Sequence, residues 1–212
     1  MAESISLAQL AAWVRAFAAL IEQNAQYLTE LDSAIGDADH GTNMKRGMKA
    51  VVESLDSTTP ETADALFKQV GMKLVSAVGG ASGPLYGTLF LRMGVSLGAV
   101  ADTSPQDFAA ALRAGLDGVV ARGKAQLEDK TMVDALTPAV EALERALAAG
   151  SPLQEGLAAT VSAAEKGRDS VTPLVARKGR ASYLGERSAG HQDPGATSTT
   201  LLLQAAADSL AG

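Results

Sequence analysis

The sequence contains no cysteine, which removes disulfides, thiolate catalysis and Cys-ligated zinc from consideration. Aromatics are nearly as scarce: four Phe, three Tyr and one Trp make up 4% of 212 residues, so the core cannot be built mainly from large rings. Basic residues are in deficit, with 18 Lys and Arg against 24 Asp and Glu and a formal net charge of -6. That balance argues against a nucleic-acid module or a membrane-surface protein, both of which need basic faces. No apolar run approaches the roughly 20 residues of a membrane span, because Arg15, Glu22 or their like intervene. The opening MAESISLAQLAAWVRAF has an acidic Glu3 and no cationic leader, so it does not read as a signal peptide. The expectation is a cytoplasmic protein with neither a membrane nor a nucleic-acid partner.

What is abundant is alanine: 41 residues, almost a fifth of the chain, cost no side-chain entropy in a helix. With 47% apolar residues the chain can bury enough surface to offset its conformational entropy, which excludes disorder. One domain over residues 1–212 is the simpler expectation, since no repeat and no Pro- or Ser-rich linker divides it. Apolar residues recur at helical spacing and no convincing period-two strand is present. The spacing predicts helices around 7–31, 43–55, 62–78, 87–100, 105–122, 132–149, 152–176 and 196–210. Ser104-Pro105 and Ser151-Pro152 read as helix starts, a capping hydroxyl followed by proline. Pro138 and Pro173 fall inside predicted helices and mark either a kink or an earlier boundary. The fold class is all-α, a single-domain bundle or barrel of eight up-and-down antiparallel helices.

The connections fall into two sets. Those after helices two, four and six (DSTTPE, ADTSP, AAGSP) hold ordinary cap and turn residues. Those after helices one, three, five and seven are IGDADHGTN, VGGASGPLYG, RGKAQLEDKT and ARKGRASYLGERSAGHQDPG. Loops following odd-numbered helices of an up-and-down bundle emerge at one end, so every chemically suggestive segment meets at one rim.

In the first of these, Asp32, Asp37 and Asp39 lie within eight residues. In an extended loop Asp37 and Asp39 point the same way, and Asp32 reaches the same point from the end of the first helix. Clustered oxygen ligands suit a hard cation such as Mg²⁺ or Ca²⁺; a helix end followed by an Asx-rich turn explains the same residues without one. His40 is one of two histidines and reads as a local hydrogen-bonding residue rather than a ligand or base. Gly41, Thr42 and Asn43 lead into a helix, whose free N–H groups favour a phosphate; Thr42 or Asn43 also serves as an ordinary N-cap. Gly79, Gly80, Gly83 and Gly87 either admit a ligand to backbone amides around Ala81 and Ser82 or pack two helices closely. Arg177, Lys178, Arg180 and Arg187 against Glu186 give the last loop a local charge of +3. It reads as a basic lid suited to polyphosphate, or as a solvated surface loop. Asp193, before Pro194 and Gly195, is a potential cap of the final helix.

The segments GDADHG, GGASGPLYGT, DGVVARGKA and ARKGRASYLGERSAGHQDPGATS together resemble the nucleotide-binding L subunits of bacterial dihydroxyacetone kinases. The likeness runs from about Leu31 to Ser198, with no departure at the motif positions. It implies the same eight-helix barrel, with Asp32, Asp37 and Asp39 holding two Mg²⁺ ions that bridge to the phosphates of ADP or ATP. It implies nucleotide contacts at His40, Gly41, Thr42, Asn43, Ala81, Ser82, Gly123, Met132, Arg180, Asp193, Pro194 and Gly195. The resemblance further implies that Met132 offers an apolar surface to the purine and that Arg180 is the catalytic charge on the terminal phosphates.

The same resemblance implies divided chemistry, in which a separate K subunit holds dihydroxyacetone and this chain supplies the phosphoryl group. No nucleophile is required here, because phosphoryl transfer needs mostly positioning and charge neutralisation. A stand-alone L chain resembles the phosphotransferase-system type, with ADP retained as a cofactor and rephosphorylated by an M subunit. The alternatives are an ATP-dependent kinase subunit for another triose or tetrose, and a nucleotide-state sensor docking on a transcriptional regulator. A homodimer or a heteromeric complex is the expected assembly.

Overall fold

The computed structural model describes residues 3–210; Met1, Ala2, Ala211 and Gly212, the ends of the expected 1–212 domain, lie outside the described residues. Eight α-helices follow in order: α1 (Leu7–Ile35), α2 (His40–Ser57), α3 (Ala63–Ala77), α4 (Ser82–Leu97), α5 (Pro105–Gly123), α6 (Met132–Ala148), α7 (Leu153–Ser170) and α8 (Pro194–Leu210). Each packs on the next, and α8 returns to α1, so the bundle closes into a ring. Among the described residues no helix is long and apolar enough to cross a membrane.

The strand expectation needs a small correction. Ile5–Ser6 (β1) and Asp102–Thr103 (β2) pair antiparallel, too short a ladder to leave a period in the sequence. It fastens the start of α1, where Ser6 and Gln9 form a reciprocal capping box.

The helix boundaries also move. α1 runs on to Ile35, so Asp32 lies in its last turn, while α2 and α4 begin at His40 and Ser82. α7 stops at Ser170, short of Pro173, whereas Pro138 sits inside α6. Pro138 has no N–H to offer the Asp134 carbonyl one turn earlier, and Gly167 of α7 packs against that carbonyl, where a Cβ would come within 2.1 Å of it. Ser104 Oγ accepts from Asp107 N–H as the cap motif predicts. At α7 the expected Ser151 cap is replaced by a distant residue, since Leu153 N–H donates to Glu3 Oε2 at 3.0 Å.

The few aromatics are concentrated. Trp13 of α1 meets Phe67 (α3), Phe90 (α4) and Phe108 (α5) with ring centroids 5.9, 5.7 and 5.5 Å away. Its indole N–H donates to Leu202 O of α8 at 2.9 Å, so one residue ties five helices together. This plug lies toward the end of the barrel where α1 and α5 begin. The opposite rim, where the odd-numbered helices end, carries a mixed lining of polar and apolar residues that includes Asp32, His40, Leu85 and Met132.

Candidate functional site

The first loop folds around one carboxylate. Asp32 Oδ2 accepts from Asp39 N–H at 2.8 Å and His40 N–H at 3.1 Å. It thereby takes over the capping of α2, and Asp39 at the N-cap position makes no side-chain cap bond. The expected extended loop is not what gathers the aspartates: Ala38 adopts a left-handed φ of 61°, which turns the chain between Asp37 and Asp39. Oxygens of Asp32, Asp37 and Asp39 nevertheless lie within 4.8 Å of one another. Three carboxylates this close suit a hard divalent cation, and their mutual repulsion is costly without positive charge. Arg180 supplies one such charge, its Nε lying 2.8 Å from Asp37 Oδ2.

His40 opens α2 and is buried. Its Nδ1 is hydrogen-bonded to Ser82 Oγ at 3.1 Å and its Nε2 to Ser198 Oγ at 2.9 Å. Ser198 Oγ in turn meets the Tyr86 hydroxyl at 2.7 Å, which also bonds Thr199 Oγ1 at 3.0 Å. Burial lowers the His40 pKa and pushes the Tyr86 hydroxyl up to about 12. The histidine is therefore a neutral tie between α2, α4 and α8.

The second loop lies directly on the first. Gly79 packs so closely on Asn43 that a Cβ would come within 2.8 Å of Asn43 Oδ1, and Gly80 takes φ 65°. The chain then enters α4 at Ser82. The starts of α2 and α4 thus border one cavity of about 410 Å³, and the positive ends of their helix dipoles favour an anion there.

Across the cavity, Gly123 ends α5 and Met132 opens α6, beside Leu85. Asp193 caps α8, its Oδ2 accepting from Ala196 N–H at 2.7 Å. Burial pushes its carboxyl up to about 7, against the hydrogen bonds from Ala196 and Gly195 N–H. Within the last loop a 3-10 helix spans Arg180–Ser188, kinked at Gly185. It rests on a small apolar cluster of Ile35, Ala176 and Ala181.

The structure places Asp32, Asp37, Asp39, His40, Asn43, Ala81, Ser82, Gly123, Met132, Arg180, Asp193, Pro194 and Gly195 around this cavity. Gly41 and Thr42 are not on its wall. Gly41 faces α1, where a Cβ would sit 1.9 Å from Ala25 O, and Thr42 points to solvent. Tyr86 and Lys130 line the cavity although the sequence reading passed over both. Both lie in loops that the sequence marks as unusual, VGGASGPLYG and RGKAQLEDKT, although neither side chain stands out there as a site residue.

Residues 34–208 match the DAK2 domain, and the chain belongs to that family. It is 44% identical over 201 residues, covering 95% of this chain and 96% of the relative, to the PEP-dependent dihydroxyacetone kinase ADP-binding subunit DhaL of Escherichia coli. It is 42% identical to the ADP-binding subunit DhaL of the PTS-dependent dihydroxyacetone kinase of Lactococcus lactis, covering 91% of this chain and 92% of that one. It is also 35% identical to a D-erythrulose kinase of Mycolicibacterium smegmatis, over 92% of this chain and 34% of that enzyme. The crystal structure of the dihydroxyacetone kinase of C. freundii complexed with AMP-PNP and Mg²⁺ superposes with a TM-score of 0.74 at 26% identity. That match covers 99% of this chain, which spans about a third (35%) of the crystallised one.

Proposed function

We propose that residues 1–212 form one nucleotide-binding domain, the ADP-carrying L subunit of a dihydroxyacetone kinase. The observation that carries this reading is the cluster of Asp32, Asp37 and Asp39, whose oxygens come within 4.8 Å of one another, on a cavity that the starts of α2 and α4 share with Arg180. Polyphosphate is matched by these elements together: a hard-cation site, helix N-termini and a positive charge. The matched subunits named as ADP-binding and the crystallised relative holding AMP-PNP and Mg²⁺ support it.

In this reading Asp32, Asp37 and Asp39 would hold two Mg²⁺ ions, which would supply charge neutralisation to the phosphates. The α2 start, with His40, Gly41, Thr42 and Asn43, and the α4 start, with Ala81 and Ser82, cradle the phosphates. Gly123 and Met132 bound the purine, and the Asp193-Pro194-Gly195 turn closes the wall. Gly41 and Thr42 contribute main-chain position rather than side chains. Arg180 stabilises charge on the terminal phosphoryl group as it passes to a hydroxyl of dihydroxyacetone on a separate K subunit. The same pocket would retain ADP, when bound, for rephosphorylation by a phosphotransferase-system M subunit in the cytoplasm. The likeness to a D-erythrulose kinase favours a second reading, an ATP-dependent subunit acting on a tetrose.

Reconstitution tests both. With K and M subunits, phosphoenolpyruvate and the general phosphotransferase components, dihydroxyacetone phosphate is expected to form with one equivalent of retained ADP. Product formed only from exchangeable ATP and erythrulose would establish the second reading, and no product with either donor would refute the kinase assignment.

A further inference from the structure

Lys130 is a buried cation that the proposed chemistry leaves unused. It is 1% exposed, and its ammonium donates to Thr172 O at 2.9 Å, Leu174 O at 3.0 Å and Ser188 O at 2.7 Å. An ammonium has three N–H donors, so all of them go to main-chain carbonyls. Those carbonyls bracket the lid. Thr172 and Leu174 precede it, and Ser188 ends the 3-10 helix that Arg180 begins. Around the same point Ala176 N–H donates to Ser188 Oγ at 2.8 Å, Gly190 N–H to Thr172 O at 2.9 Å and Arg177 N–H to Asp129 O at 3.0 Å.

The turn bearing Lys130 is shaped to aim it. Glu128 and Lys130 take left-handed φ values of 71° and 66°, which non-glycine residues adopt at a cost. Asp129 Oδ2 accepts from Gln126 N–H, and the buried Asp134 carboxylate accepts from Glu128 and Thr131 N–H. Two residues after Lys130, Met132 opens α6 on the cavity wall. One rigid turn therefore joins that wall to both roots of the lid. Burial lowers the Lys130 pKa while the Asp193 charge opposes the shift. For filling space alone an apolar side chain would serve better than a buried ammonium.

We propose that Lys130 is a positioning residue for the lid, pinning its two roots so that Arg180 is presented over Asp37. The inference rests on the nucleotide reading only for the identity of the ligand beneath the lid.

Limited trypsin digestion reads lid opening directly, because Arg177, Arg180 and Arg187 are exposed on it. Lys130→Met keeps most of the side chain's length and removes the donors. It is expected to raise cleavage within 177–187 at least about tenfold, with cleavage elsewhere unchanged, since losing one charge-assisted hydrogen bond suffices for that factor. The dissociation constant for Mg·ADP should rise in parallel. Lys130→Ala leaves a gap that propylammonium, but not neutral propanol, should fill and so restore protection. Unchanged lid cleavage in Lys130→Met would overturn the proposal, as would faster cleavage along the whole chain or equal rescue by propanol. If Lys130→Ala does not fold, Lys130→Met decides alone. A wild-type protein that binds no nucleotide refutes the nucleotide reading and leaves the cleavage comparison intact.

Discussion

Arg180 Nε lies 2.8 Å from Asp37 Oδ2, so the lid's arginine rests on the acidic cluster at the barrel rim. A guanidinium there occupies one face of a carboxylate that a divalent cation would also use. The pair is half open to water, with side-chain exposures of 67% and 37%, so it contributes at most about 1 kcal/mol. A metal ion bound at Asp37 would therefore displace the pair at small cost.

Arg180→Ala should therefore split two measurements that usually move together. Mn²⁺ affinity without nucleotide, read by electron paramagnetic resonance, should stay constant or tighten by up to roughly fivefold. Phosphoryl transfer in the reconstituted system should fall about a hundredfold or more, the usual effect of removing a donor from developing charge. Weaker Mn²⁺ binding in the variant would show that Arg180 supports the cluster instead of competing for it.

Asp37→Asn removes a charge from the cluster without touching the backbone bonds that organise it, because Asp32 carries those. Helical content by circular dichroism should be unchanged. Retention of Mg²⁺ and ADP through buffer exchange, followed by native mass spectrometry, should drop at least about tenfold, since even indirect partners of a metal ligand are worth that much. Full retention would remove Asp37 from the ligand set.

Local rules carried most of the scaffold. The 3.6-residue period set the eight helices, and Ser104-Pro105 marked a start that the structure realises through Ser104 Oγ and Asp107 N–H. The alternation of plain and unusual loops placed the chemistry at one rim. What escaped depends on partners remote in sequence. Glu3 caps α7 across the chain, and Lys130 reaches carbonyls more than forty residues away. Asp32 caps α2 in place of the nearer Asp39, Thr42 or Asn43. Gly41 sat in a ligand-like motif, yet its environment is the backbone of α1.

That last residue gives a stability test. A Cβ at position 41 would sit 1.9 Å from Ala25 O and 2.5 Å from Thr29 Oγ1, and a backbone carbonyl yields little. Gly41→Ala should therefore force α1 and α2 apart at a cost of about 1–3 kcal/mol, lowering Tm by roughly 2–10 °C in scanning calorimetry. Thr42→Ala, at the exposed neighbour, should stay within about 0.5 kcal/mol of wild type. Equal stability of the two variants would contradict the packing role of Gly41.

Asp193 gives a pH dependence whose sign is fixed by burial. Its carboxyl is raised from 3.8 to about 7 in the folded protein, so between those values the folded state holds a proton that the unfolded state has released. The stabilisation is complete below about pH 4 and is lost as pH rises through about 7, amounting to roughly 4 kcal/mol. Asn at this position keeps an oxygen for the Ala196 N–H and cannot ionise. In urea titrations, Asp193→Asn should match wild type near pH 4 and become progressively more stable than it toward pH 7.5. A difference that does not change with pH would mean that Asp193 is ionised in the folded protein throughout this range.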